Sequence, residues 1–403
     1  MFNKQMYEFP ILYTNPIPKI ALGWGSHQII GEECKAAGMK KALIVTSGLK
    51  GTGIVDEVKA IINHAGVATE IFDKVTSNPK DHEIMAAYKL FKESNCDGVV
   101  GLGGGSSMDT AKCIRVIDAN GGQEITDFTV FLDPPYAETL SKMKPCVIPQ
   151  VSVATTSGTG AEVTSWAAIS NTKARAKVLV SGPNIQSTVA IIDPLLSRMQ
   201  PRDLAAWTGF DALAHGIEAF VTKVQGPYAH GLLLRAVELI YKNLRQFVFD
   251  RMNKEACERV AWASTMASIA IGFGNGAGIV HGLGHQISAL KDVHHGRINA
   301  VLMLAGETYN QPAIIEKLAA MTRAMGVDTT GMTELEAADH WFYEIERLLK
   351  DLDITPGQLN KQFGIVEGDL DHIVKVYSND FCSQGNPKEF NYDECINLLK
   401  SQL

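Results

Sequence analysis

The pattern of apolar residues changes kind at Asp193-Pro194, and this change restricts the fold more than any other feature of the chain. Upstream, short β-branched runs alternate with helical stretches. Lys41–Thr46 (KALIVT) reads as a buried strand ending on the turn residues Ser47 and Gly48. Ile54–Ala65 reads as a helix, Thr69–Phe72 as a second strand, Asp81–Asn95 as a helix N-capped by Asp81, and Gly98–Leu102 as a third strand. Cys146–Val153 and Val189–Ile192 are further apolar runs of strand length. Strands separated by helices imply βαβ units and a parallel sheet. From Arg202 onward the pattern is helical, as in Phe210–Val221, Gly231–Phe247, Glu255–Ile271, Ala313–Met325 and Glu334–Leu352. The expectation is an α/β domain over residues 1–195 followed by an all-α domain over residues 196–403. A chain of 403 residues is too long for one ordinary core. With no repeat or long linker, the two domains should pack closely, and the cleft between them is the expected ligand site.

Composition removes several classes of function. The formal charge of −7 supplies no basic field for nucleic acid and no polybasic patch for a membrane surface. No window approaches the roughly 20 apolar residues of a membrane helix. The first residues, MFNKQMYEFPILYTNPIPK, lack a signal core and a cleavage pattern. Seven scattered cysteines without a CxxC speak against a disulfide framework, a zinc ribbon or an iron–sulfur cluster. Free thiols fit a reducing compartment, so a cytoplasmic location is expected.

Two loops have the chemistry of an anion cradle. Gly101-Leu102-Gly103-Gly104-Gly105-Ser106-Ser107 joins a strand to a helix. Glycines there let backbone N–H groups approach an anion, the helix begins at its positive end, and Ser106 and Ser107 add hydroxyl donors. A dinucleotide diphosphate is the expected occupant, although the spacing is not GxGxxG and the loop follows the third strand. Thr155-Thr156-Ser157-Gly158-Thr159-Gly160 follows another strand and extends the cleft for a long anionic ligand.

The helical half carries a metal constellation. Asp211 and His215 are spaced i, i+4, which puts both on one face of a helix. His281 and His285 repeat that spacing, and His294 and His295 follow. Their neighbours Phe210, Leu213, Ile217, Ile279, Val280 and Leu283 are apolar, so these polar groups should be buried and in need of partners. A divalent metal satisfies several at once. A donor set of nitrogen and oxygen only suits Fe(II), Zn, Mn, Ni or Co.

Taken together, Ile44-Val45-Thr46, Gly103–Ser106 with Asp109 and Lys112, Thr155–Gly160 with Glu162, and Asp193-Pro194 resemble the iron-dependent alcohol dehydrogenases of the dehydroquinate synthase-like superfamily. Asp211-x3-His215, His281-x3-His285, His295-Gly296 with Asn299, and Asn386-Pro387 carry the resemblance through the second half, over about Pro18 to Leu399. It implies a Rossmann-like dinucleotide-binding domain and an all-α metal domain. It implies Asp211, His215, His281 and His295 as metal ligands, Fe(II) foremost, with His285 beside substrate and nicotinamide as catalytic residue. Gly104, Gly105 and Ser106 would hold the diphosphate. Thr155 and Thr156 would line the cofactor cleft, with Ser47 and Asn78, and Lys177 would contact the nicotinamide-side ribose. Family members form homodimers or larger homo-oligomers.

Three departures carry information. The family often has an acidic residue where this chain has Ser47, so the repulsion of a 2′-phosphate is missing and NADP stays open beside the expected NAD. His294 stands where the family usually has proline, and Arg297 where an apolar residue is common. With Lys291 they concentrate cationic groups near the last ligand. The chemistry expected is reversible, metal-assisted hydride transfer between nicotinamide and a small primary alcohol or aldehyde, with His285 relaying the proton. The cationic cluster suggests an anionic aldehyde such as sulfoacetaldehyde or succinic semialdehyde. The alternatives are a dehydroquinate synthase-like lyase or cyclase that uses NAD transiently, and a glycerol or diol dehydrogenase.

Overall fold

The computed structural model describes residues 16–130, 136–223 and 226–403; the segment read for a targeting signal therefore lies almost wholly outside them. Among the described residues, nine strands occupy the first half: β1 Lys19–Leu22, β2 Lys41–Thr46, β3 Ala68–Phe72, β4 Gly98–Gly103, β5 Thr129–Val130, β6 Gln150–Ala154, β7 Trp166–Asn171, β8 Ala176–Ser181 and β9 Val189–Ile192. Helices α1 Ile30–Ala36, α2 Ile54–His64, α3 Asp81–Glu93, α4 Gly105–Ala119 and α5 Tyr136–Ser141 alternate with them.

Six strands form one parallel sheet in the order β1-β9-β6-β4-β2-β3. Every residue of β4, β6 and β9 is buried, as expected of a parallel sheet covered on both faces. The chain leaves β2 to one side for β3 and returns on the other side as β4. That reversal opens a crevice at the carboxyl ends of β2 and β4, the usual place for a ligand in such a sheet. The loops after these strands are tied there by Ser47 Oγ and Ser107 Oγ, 3.0 Å apart.

Past β9, Asp193 accepts the Leu195 N–H and Pro194 opens the short helix α6 Pro194–Ser197. Helices follow from there on: α7 Arg202–Val221, α8 Pro227–Phe249, α9 Lys254–Ala270, α10 Ile279–Lys291, α11 His295–Met325, α12 Glu334–Asp351, α13 Leu359–Phe363, α14 Glu367–Ser378, α15 Phe381–Gly385 and α16 Tyr392–Ser401. They enclose one large apolar cluster that includes Phe210, Leu244, Leu283, Trp341 and Tyr377. A parallel α/β domain followed by a helical domain is therefore the observed architecture.

Several local expectations need correction. Lys80, not Asp81, is the N-cap of α3; Asp81 accepts bonds from the Thr172 backbone N–H and hydroxyl instead. The strand expected from Cys146 begins at Gln150, because Pro149 cannot donate to a ladder. The helix expected from Ala313 is the second half of α11, which is kinked at Ile314 after Pro312. The β7–β8 hairpin, part of a separate antiparallel sheet with β5, was not expected.

Candidate active site

The two domains face each other across a cleft of about 1130 Å³. Ser47, Gly104, Gly105 and Ser106 line it from the sheet side, with Asn78, Thr155, Thr156 and Lys177. His215, His281, His285, His294 and His295 line it from the helical side. Ser107 is fully buried and bonded to Ser47, so only Ser106 of the serine pair faces the cleft, a correction to the reading that gave both hydroxyls to the anion.

Asp211, His215 and Glu218 stand at i, i+4 and i+7 on α7, one face over two turns. His281 and His285 stand on α10, and His295 opens α11. Close approach of these helices depends on Gly296: a Cβ there would lie 2.7 Å from the Trp207 carbonyl and 3.0 Å from Asp211 Cβ.

The donors converge. One ligand atom each from Asp211, His215 and His281 lie within 4.8 Å of one another. His295 Nε2 is 3.1 Å from Asp211 Oδ2. The His215 and His281 rings stack at 4.5 Å. Asp211 is fully buried and accepts from the Asn299 side chain at 2.9 Å through its other oxygen. His281 Nδ1 is bonded to Glu218, which also accepts the backbone N–H groups of Gly278, Val280 and His281. His281 Nε2 and His215 Nδ1 are buried with no hydrogen-bond partner.

The electrostatics match a cation. Burial pushes His215 down to about 4. Burial, with the charge of Lys177, takes His295 to about 3. Burial opposes charge on His281 too, but the Glu218 and Asp211 carboxylates outweigh it and raise that ring to about 10. Burial would also raise Asp211; the His295 and His215 charges and the hydrogen bonds overcome it and hold the carboxyl well below the usual range. Two neutral imidazoles, a third ring that would release its proton to a metal, and an ionised carboxylate, with the orphaned nitrogens of His215 and His281 beside it, fit a divalent metal.

His285 lines the cleft with its Nδ1 3.8 Å from Asp380 Oδ2. Burial lowers its pKa below the ordinary histidine value. Lys177 Nζ lies 3.2 Å from Asn78 Oδ1, and burial pushes its pKa down to about 8.

Two of the three residues expected at the substrate turn away. Lys291 pairs with Asp369 at 2.8 Å. Arg297 bonds Gln362 and lies over the rings of Trp207 and Phe363. Neither lines the cleft. His294 does, but burial pushes it down to about 4, which leaves it neutral.

Glu218 and Asp380 were not singled out in the sequence. The i+7 spacing from Asp211 could have found Glu218; Asp380 comes from a distant segment with no local signal.

Residues 17–194 match the family model of the iron-containing alcohol dehydrogenases, and residues 205–403 match that of the C-terminal part of the Fe-containing alcohol dehydrogenase family. The chain is 37% identical to the methanol:N,N-dimethyl-4-nitrosoaniline oxidoreductase of Mycobacterium sp. (strain DSM 3803 / JC1), over 98% of this chain and 97% of that protein. It is 35% identical to the NAD-dependent methanol dehydrogenase of Bacillus methanolicus, over 96% and 98%. The crystal structure of a 1,3-propanediol oxidoreductase superposes with a TM-score of 0.90 at 34% identity, covering 98% of this chain and 100% of that one.

Proposed function

The chain belongs to the iron-containing alcohol dehydrogenase family, and on that premise we propose that it interconverts a small, uncharged primary alcohol or diol and its aldehyde, with NAD as hydride carrier. In this reading residues 1–195 hold the dinucleotide and residues 196–403 hold the metal. Asp211, His215, His281 and His295 are the ligands, Fe(II) foremost. The observation that carries the assignment is the pair of orphaned imidazole nitrogens packed around an ionised, fully buried carboxylate.

When bound, the metal supplies the positive charge that lowers the pKa of an alcohol hydroxyl or polarises an aldehyde carbonyl. The protein's own groups do the rest. Gly104, Gly105 and Ser106 present backbone N–H groups and a hydroxyl to the diphosphate at the start of α4. Thr155 and Thr156 flank them, and Lys177, steadied by Asn78, reaches the cleft beside the ribose. His285 takes the alcohol proton at a ring nitrogen and returns it in the reverse direction. Ser47 puts no carboxylate at the adenosine end, so NADP is accepted as a second carrier.

The placement of Lys291, Arg297 and His294 supports an uncharged substrate. Lys291 is neutralised by Asp369, Arg297 faces Trp207 and Phe363, and His294 is uncharged. These three residues thus offer an anionic aldehyde no unpaired charge in the cleft. The names of the methanol and 1,3-propanediol relatives fit a small neutral alcohol.

Steady-state rates on size-matched neutral and anionic aldehydes test the proposal. The neutral member is expected to have a kcat/KM at least about tenfold higher. A preference for the anionic member that disappears in Arg297→Ala would overturn it.

A further inference from the structure

Beside His285, which the proposed reaction uses, the cleft wall carries two further donors that it does not use, Asp380 and Cys382. Asp380 caps α15 and accepts the Cys382 backbone N–H at 2.8 Å, which brings the Cys382 side chain back toward α10. One ligand atom each from His285, Asp380 and Cys382 lie within 4.8 Å of one another. His285 Nδ1 and Asp380 Oδ2, at 3.8 Å, are too far apart for a hydrogen bond. Two donors on one tetrahedral zinc ion stand about 3.3 to 3.6 Å apart, given the usual metal–ligand distances. The His285–Asp380 separation is close to that spacing, and the Cys382 sulfur lies within 4.8 Å of both groups. His285 and Cys382 line the cleft, so an ion can reach them from it.

The donor chemistry differs from that of the first site. Asp211, His215, His281 and His295 offer only nitrogen and oxygen, whereas Cys382 adds a sulfur, which selects softer ions. Burial raises the Cys382 thiol well above its ordinary pKa, so without a metal it is protonated and inert. Of the seven cysteines, all buried, Cys382 alone lines the cleft among the described residues.

We propose that His285, Asp380 and Cys382 form a second, inhibitory site for a soft divalent cation such as zinc or cadmium. On binding, the S–H bond breaks, a sulfur–metal bond forms and the proton leaves to solvent. The ion also takes the lone pair of His285. Turnover then stops while the first metal stays in place; this consequence rests on the proton role proposed for His285, but the binding itself does not.

Titrating Cd²⁺ into enzyme that already carries one metal per chain provides the test. Thiolate-to-cadmium absorption in the near ultraviolet reports the site directly, since the first site has no thiolate. One further equivalent is expected to bind with this band, the first metal being retained on metal analysis and aldehyde reduction falling over the same concentrations. Cys382→Ser is expected to abolish the band, and Asp380→Asn, which keeps an N-cap acceptor, to weaken binding about tenfold or more. No band, a band that persists in Cys382→Ser, or inhibition accompanied by loss of the first metal would overturn the proposal. Because the band is read without turnover, it is informative even for an enzyme that reduces no aldehyde.

Discussion

Glu218 grips His281 twice, by the ring Nδ1 and by the backbone N–H of the same residue. The two together fix the ring's orientation and point Nε2, which has no hydrogen-bond partner, toward Asp211. A carboxylate behind a ligating histidine sets its tautomer and raises its basicity. Glu218→Gln is therefore expected to lower metal affinity about tenfold to a hundredfold, with the fold intact by circular dichroism. Chelator competition measures this; an unchanged affinity would remove Glu218 from the account.

Metal binding should depend on pH through one proton. In the metal-free protein His281 is protonated up to about 10, whereas His215 and His295, near 4 and 3, are already neutral at pH 7. Coordination must expel the His281 proton, so affinity is expected to rise about tenfold per pH unit between about pH 7 and pH 9. Calorimetry in buffers of different ionisation enthalpy should find about one proton released per metal. The sign for stability is opposite. A histidine raised above its unfolded value of about 6.5 stabilises the metal-free fold fully below that pH, and this contribution fades as pH rises toward 10. The Tm of metal-free protein should fall over that window.

The Thr155–Gly160 loop is seated directly against the helical domain. Gly160 has φ +58°, and a Cβ there would lie 1.8 Å from Ser268 Oγ on α9. Gly160→Ala is expected to cost about 2 kcal/mol or more in unfolding free energy, from backbone strain and overpacking together. Chemical denaturation reads it; a neutral result would mean the domains can separate at this contact at little cost.

The proposed tolerance for a 2′-phosphate rests on Ser47. Ser47→Asp is expected to reduce kcat/KM with NADPH at least about tenfold and to change the NADH value little. The ratio of the two constants is the measurement. An equal loss with both cofactors would point instead to disruption of the Ser47–Ser107 contact.

Periodicity made the architecture readable. The buried strands β2, β4 and β9 are continuous apolar runs, and Asp211, His215, His281 and His285 announce themselves by helical spacing. What failed depended on direction or on distance along the chain. Lys291 and Arg297 lie within four residues of His294 or His295, yet one ends α10 facing Asp369 of α14 and the other sits on the far side of the first turn of α11. Sequence proximity does not say which way a side chain leaves its helix. Asp380 and Cys382 reach His285 across about a hundred residues, and no local pattern marks them. The β7–β8 hairpin escaped notice because its turn, Thr172–Arg175, is flanked by small and charged residues rather than by a typical two-residue turn.

Metal content after anaerobic purification, measured together with NADH oxidation by a short neutral aldehyde, tests the central claim most directly when wild type is set beside His281→Ala. The account predicts one divalent metal per chain and steady NADH consumption in the wild type. It predicts both lost in His281→Ala, while NADH binding, read by fluorescence, survives. Sustained turnover by metal-free wild type, or full metal content and activity in His281→Ala, would contradict it.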